Sequence, residues 1–358
     1  MARSMLPRAA TLQYVGRLIA YRFGVDRVTD LAAAMTYYLV LSVFPLLLAV
    51  VSIISLVGGA NWLVPAISDA FSSFANLAAA QTFDSIISGF LAGEGAGLTL
   101  VISLVAAIWS ASNYIGAFTR AVNTVYQVRE GRSFVKLKAV QLLMTLALVL
   151  AIILLGVALA VSSPAAHWVG NLVGLGDQFA AVWAWLRYPL IGVVVIILVQ
   201  LLYFVAPNVR HPRIRVLSVG AIVAIALSVL VVEVFTVYLS VFHGASSYTK
   251  TYGALAGVII ALFLMYLINI ALILGAELDA ALERLHQLNL GLPAQSGLVL
   301  PPRDEKGINA ANNTAEKLEE RAEAIRAAAG ATDERDLAWY EKYALHKKRD
   351  QSQDLLSV

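Results

Sequence analysis

The sequence predicts an all-α polytopic membrane protein with six transmembrane helices and both termini on the cytoplasmic side. Three observations carry that prediction. Hydrophobic residues make up 59% of the 358 residues and charged ones only 14%, against about 25% charged in soluble domains. The apolar residues gather in long runs. The clearest, Gly253–Ala276, holds no charged residue and forms a helix of about 36 Å, enough to cross a hydrocarbon core of about 30 Å. Finally, all but two of the 26 Lys and Arg residues fall in segments on one side of the alternating spans, the exceptions being Arg187 and Lys250. Positive charge stays on the cytoplasmic face, so the number of crossings is even.

The first 30 residues form a cytoplasmic basic segment with Arg3, Arg8, Arg17, Arg22 and Arg27. Within it Leu12, Val15, Leu18, Ile19 and Phe23 recur at helical spacing, which suits either an interfacial helix on an anionic leaflet or an ordinary basic flank. Residues 31–285 form the transmembrane domain, with spans at about 31–57, 98–120, 140–161, 186–206, 216–238 and 252–276. The first apolar run is too long for the core of a cleavable signal peptide and is expected to act as an uncleaved crossing. The fourth span is bracketed by Pro189 and Pro207. Pro189 fits a helix start, where its missing N–H is not needed, or the span begins further back near Trp183.

The first outer loop, 58–97, lacks Lys and Arg. Trp62, Leu63, Ile67, Phe71 and Phe74 recur at helical spacing, as do Phe83, Ile86, Ile87 and Phe90, giving two short amphipathic helices before the Gly-rich stretch Gly93–Gly97. They form a gate over a cavity or a lid on the bundle. Residues 286–358 read as a cytoplasmic tail, partly helical or disordered. Gly291, Pro293, Pro301 and Pro302 mark a linker, Thr314–Ala329 reads as a helix N-capped by Thr314, and Asp336–Leu345 as a second. No internal repeat is visible, so symmetry gives no support to an inverted-repeat transporter.

Orientation assigns a depth to each polar residue in the spans. Thr36, Tyr37, Tyr38 and Ser42 fall in the inner half of the first span; Ser110, Ser112 and Asn113 in that of the second, with Arg120 and Asn123 at its boundary. Gln200 and Tyr203 lie in the inner half of the fourth, before Asn208, and Asn269 in that of the sixth, before Glu277. Polar groups avoid lipid and face the bundle interior or water. Their clustering at one depth predicts a polar cavity open to the cytoplasm or inner leaflet. Arg210, His211 and Arg213 stand near its mouth, and that chemistry suits an anionic lipid or solute. The alternative is that the same side chains hydrogen-bond helix to helix, at about 0.6 kcal/mol each. Glu233 falls in the outer part of the fifth span. It is a carboxylate facing the bundle, near Lys250 or His243, or one reaching the outer head groups.

Four stretches then bring a known family into view: AAAMTYYLVLSVFPLLL (Ala32–Leu48), NTVYQVREGRSF (Asn123–Phe134), LLYFVAPNVRHPR (Leu201–Arg213) and SYTKTYGALAGVIIALFLMYLINIALILGAELDAALE (Ser247–Glu283). Together, in this order, they resemble the YihY/virulence factor BrkB family, over about residues 12–285. The resemblance implies a six-helix bacterial cytoplasmic-membrane protein associated with envelope integrity, serum resistance or lipid export. The family was once labelled a tRNA-processing ribonuclease. No metal-ligand set, acid/base pair or soluble catalytic domain is present here to support hydrolysis of RNA.

The expected function is therefore the handling or translocation of an anionic lipid or solute, with no enzyme activity, metal, cofactor or nucleic-acid partner. The absence of cysteine excludes disulfides and thiol chemistry. A non-transporting scaffold is the alternative, recruiting a partner or a second copy of the chain through the tail and the first outer loop.

Overall fold

The computed structural model describes residues 8–56, 96–160, 176–210, 218–241, 256–328, 338 and 340. Among the described residues eight helices follow one another: α1 (Arg8–Val25), α2 (Val28–Leu56), α3 (Ala96–Val125), α4 (Phe134–Ala160), α5 (Gly176–Val205), α6 (Val219–Val241), α7 (Ala256–Asn289) and α8 (Lys306–Ala328). The amphipathic helices expected in the first outer loop lie outside the described residues, as does the helix expected near Asp336–Leu345. Each expected span overlaps one of α2 to α7 in part, as a helix.

Four helices among the described residues are long and apolar enough to cross a membrane: Phe134–Leu155, Trp185–Val205, Val219–Val241 and Ala256–Asn289; Val28–Val43 in α2 is a shorter apolar stretch. Their surfaces agree with that use. Leu143, Leu150, Ile197, Val229, Leu230 and Val234 are all exposed. So large an apolar face does not sit in water and marks a membrane-contacting surface.

The start of α5 follows the second expectation, a beginning further back than Pro189. It begins at Gly176, so Pro189 sits inside the helix rather than at its first turn. A proline there forfeits one backbone hydrogen bond, and its neighbours Leu186, Tyr188 and Leu190 are exposed, so no packed partner is displaced by the local distortion.

Packing runs α2 on α3, α6 on α7, α7 on α2, α4 on α3 and α1 on α7. Met35, Ile115, Phe118, Val122, Tyr203 and Ile273 form the centre of the core. The closest approach is between α6 and α7. A Cβ on Gly220 would stand 2.1 Å from the Gly275 carbonyl oxygen, and one on Gly275 would stand 2.5 Å from that of Gly220. Only hydrogen fits at either position. The first turn of α6 is capped twice there: Ser218 Oγ accepts from Ala221 N at 3.0 Å, and Asp279 Oδ1 accepts from Gly220 N at 2.8 Å.

The stretch that Gly291, Pro293, Pro301 and Pro302 mark as a linker turns back along the bundle. Gly291 takes φ 81°, and Leu292 N donates to Gln287 O at 3.0 Å, which is the Gly-ended helix stop that reverses a chain. Residues 290–305 then run as a strap over the end of the bundle where the basic residues collect. Val299 N donates to Gln287 Oε1 at 2.9 Å, Arg210 N to Pro301 O at 3.0 Å, and Arg303 N to Asn208 O at 2.9 Å. Two compact units result, divided between Glu305 and Lys306. The second carries α8, in which no residue is buried.

Candidate functional site

The polar residues aligned by depth separate into three structural groups. The first is a buried pin. Tyr114 Oη donates to Asn269 Oδ1 at 3.0 Å, and Asn269 Nδ2 donates to Thr36 Oγ1 at 3.0 Å, while Thr36 itself donates to Ala32 O. Asn269 is buried and joins α7 to α2 and α3 at once; it is not among the residues that line the cavity at the basic end. Ser42 works in the same way, donating to Tyr38 O at 2.6 Å and reaching Ala111 O at 3.4 Å.

The second group braces the basic end. Asn208 is fully buried. Its backbone N donates to Asn123 Oδ1 at 2.8 Å, its side chain donates to Arg129 O and Asp304 O, and its Oδ1 accepts from Asp304 N at 3.0 Å. Asn123 Nδ2 donates to Glu130 Oε2. Arg132 grips Glu130 through Nε and Nη2 at 2.8 and 2.7 Å, and Nη2 also donates to Ala206 O at 2.7 Å, capping the last turn of α5. Burial alone pushes the Glu130 carboxyl up. The hydrogen bonds and charge of Arg132, with the bond from Asn123, outweigh it and hold the carboxyl below its usual range.

Ser112 is buried and accepts from Lys138 Nζ at 2.6 Å; the same ammonium stands 3.3 Å from Asn113 Oδ1 and 4.4 Å from the centre of the Trp109 ring. Asn113 and Arg120 are themselves exposed, Arg120 lying 5.4 Å over the Tyr38 ring, and Tyr37 is exposed beside Tyr38. Glu233 is exposed on α6, among the exposed Leu230, Val234 and Val237. Its suggested partners His243 and Lys250 lie outside the described residues, as do His211 and Arg213.

The third group surrounds a cavity of about 520 Å³ at the basic end, between α5, α6, α7 and the strap. Gln200, Tyr203 and Arg210, expected from sequence, line it. Gln200 Oε1 accepts from Ser218 N at 2.9 Å; Tyr203 stacks on Phe118 and donates to Leu272 O. Sequence reasoning missed the opposite wall, which is Asp279, Glu283, His286 and Gln287 of α7. Their spacing of four, three and one residues places them on one helix face, and that periodicity was available in the sequence. The apolar rim, Leu290, Leu292, Val299 and Leu300, comes from the strap. Two carboxylates, an imidazole and a guanidinium thus face a space large enough for a lipid head group.

Glu277 lies on the other face of α7, one turn from this wall. It is buried, and its carboxyl and that of Asp26, in the turn between α1 and α2, are within hydrogen-bonding reach of each other. Arg22 Nη1 stands 3.4 Å from Asp26 Oδ1. Asp26 Oδ2 and Glu277 Oε1 are both buried without a donor among the described residues.

Comparison with known proteins places this architecture. The virulence factor BrkB family matches residues 19–296. The chain is 30% identical over 261 residues to the putative ribonuclease-like protein YfkH of Bacillus subtilis, covering 72% of this chain and 90% of that one. It is 29% identical over 280 residues to a UPF0761 membrane protein of Xanthomonas oryzae pv. oryzae, covering 77% of this chain and 62% of the relative's length. A UPF0761 membrane protein of Xanthomonas axonopodis pv. citri gives 28% over 281 residues, with the same coverage. No solved structure matches. A match over most of the chain shows that it is a membrane protein of the virulence factor BrkB family.

Proposed function

We propose that the protein is a six-span protein of the bacterial inner membrane, with both termini cytoplasmic, that binds and translocates a lipid or solute through the cavity at its basic end. One observation carries the reading: a cavity of about 520 Å³ with Arg210, Asp279, Glu283 and His286 on its walls, placed where charge distribution puts the cytoplasmic leaflet. Arg210 answers a phosphate. Asp279 and Glu283 answer an ammonium, which narrows the anionic ligand expected from sequence to one that also carries a positive group. A phosphoethanolamine head group has that pairing of charges.

The test uses delipidated full-length protein and its thermal unfolding in added phosphatidylethanolamine or phosphatidylglycerol. The expected result is stabilisation by the first over the second, lost in the double variant Arg210→Ala, Glu283→Gln. Equal stabilisation by both lipids, or an unchanged preference in that variant, refutes the reading. The scaffold alternative has α8 in its favour, since Leu318 and Ile325 are exposed two turns apart on a helix with no buried residue. Loss of an envelope phenotype on truncation after Glu305, with lipid-dependent stabilisation intact, assigns the role to the tail instead.

A further inference from the structure

The Asp26–Glu277 contact lies outside the cavity and takes no part in the ligand chemistry proposed for it. Both side chains are more than nine-tenths buried, Asp26 at 9% and Glu277 at 2% exposure. Each has one buried oxygen, Oδ2 and Oε1, that receives no donor among the described residues. Two ionised carboxylates do not rest against each other in a dry site; like charges drive one of them to hold a proton.

The surrounding groups sharpen the argument. Among the described residues, Arg22 on α1 meets Asp26 Oδ1. Arg284 on α7 lines the same crevice, but its guanidinium is directed at the strap, donating to Ala294 O at 2.7 Å and to Gln295 O. Arg27 and Asp30 are exposed. Leu18, Val125, Gln127 and Leu298 complete the crevice wall without adding charge. One cation therefore directly faces two carboxyls, and a single proton brings that local group to neutrality.

We propose that Asp26 and Glu277 share one proton, making a proton-binding site that latches the end of α1 onto α7. The protonated carboxyl of Glu277 donates to Asp26 Oδ2, and Asp26 accepts from Arg22 on its other oxygen. Burial raises the Asp26 carboxyl above its usual range against the pull of Arg22, which agrees with a proton held at this contact. Loss of the proton leaves two buried like charges between α1 and α7, and α1 lifts from the bundle.

Two measurements on the full-length protein in lipid nanodiscs test this. The first is the infrared absorption of protonated carboxyl groups across a pH titration. The expected band persists at neutral pH, is absent in Glu277→Gln, and in Asp26→Asn titrates at least about one unit lower because the like charge is gone. The second is the distance between spin labels at Leu12 and Leu290, which the cysteine-free sequence allows to be placed by Leu12→Cys and Leu290→Cys. The wild type should gain a longer distance as pH rises. Glu277→Gln keeps a donor to Asp26 with no proton to lose, and should hold the short distance throughout. A neutral-pH band unchanged by Glu277→Gln, no such band at all, or a label distance indifferent to pH overturns the proposal.

Discussion

Asn269 decides between two uses of the polar layer, and its replacement by Leu yields a number. The side chain makes two interhelical hydrogen bonds, accepting from Tyr114 and donating to Thr36, each at 3.0 Å. Thr36 loses little, because its own proton already goes to Ala32 O. Tyr114 loses its acceptor in a buried site. At about 0.6 kcal/mol per interhelical bond in membranes, with an upper value of about 1.7, Asn269→Leu should cost about 1–2 kcal/mol. Tyr114→Phe removes one bond and the stranded hydroxyl together, so it should cost about 0.6 kcal/mol. In the double variant no unpaired donor remains. The two costs should therefore fall short of additivity by about 0.6 kcal/mol or more, the signature of a direct pair. Reversible unfolding of the four proteins in bicelles measures the cycle. Additive costs would refute the pin. A loss of lipid-dependent stabilisation in Asn269→Leu would return the residue to the cavity.

Other consequences are equally direct. Gly220→Ala forces a Cβ to within 2.1 Å of a backbone oxygen and should cost about 3 kcal/mol. Gly192→Ala on α5, with nothing within 4 Å, should be neutral or stabilising in the same thermal assay. Glu130→Gln should cost about 1–3 kcal/mol at neutral pH by leaving the Arg132 guanidinium short of its partner. Because the folded Glu130 carboxyl sits below its usual range, its stabilisation is complete above about pH 4.3 and disappears as pH falls through the folded value. Midpoints measured between neutral and acid pH should show that the variant lacks this component of the acid slope. Truncation after Glu305 should leave the unfolding of the remaining chain unchanged, whereas truncation after Asn289 should lower it, since it strips the hydrogen bonds of Arg303 and Asp304 to the bundle.

The helices were legible because membrane spans are written locally: an uninterrupted apolar run needs no partner to declare itself. What escaped is set by contacts distant in sequence. Asn269 and Tyr114 are 155 residues apart, and whether an inner-half amide faces a cavity or a neighbouring hydroxyl depends on helix rotation, which composition does not encode. Lys138 counted as a topological charge, yet it is buried against Ser112 and Trp109. Gly291, Pro293, Pro301 and Pro302 marked irregular backbone correctly, but irregular backbone can be a docked strap as readily as a linker. Asp279 and Glu283 were passed over as residues beyond a span end, although the helix continues to Asn289 and carries them along the cavity wall.

The strap also has a consequence in time. Its docking residues, Arg303 and Asp304, are synthesised after every helix from α1 to α7, yet they bind Asn208 and close against the turn that holds Gly131, whose missing Cβ would stand 1.8 Å from Asp304 O. The helices from α1 to α7 are therefore all synthesised before the ends that the strap joins can be clasped. A short stretch of chain that follows the helices in synthesis thus fastens ends that were already brought together by helix packing.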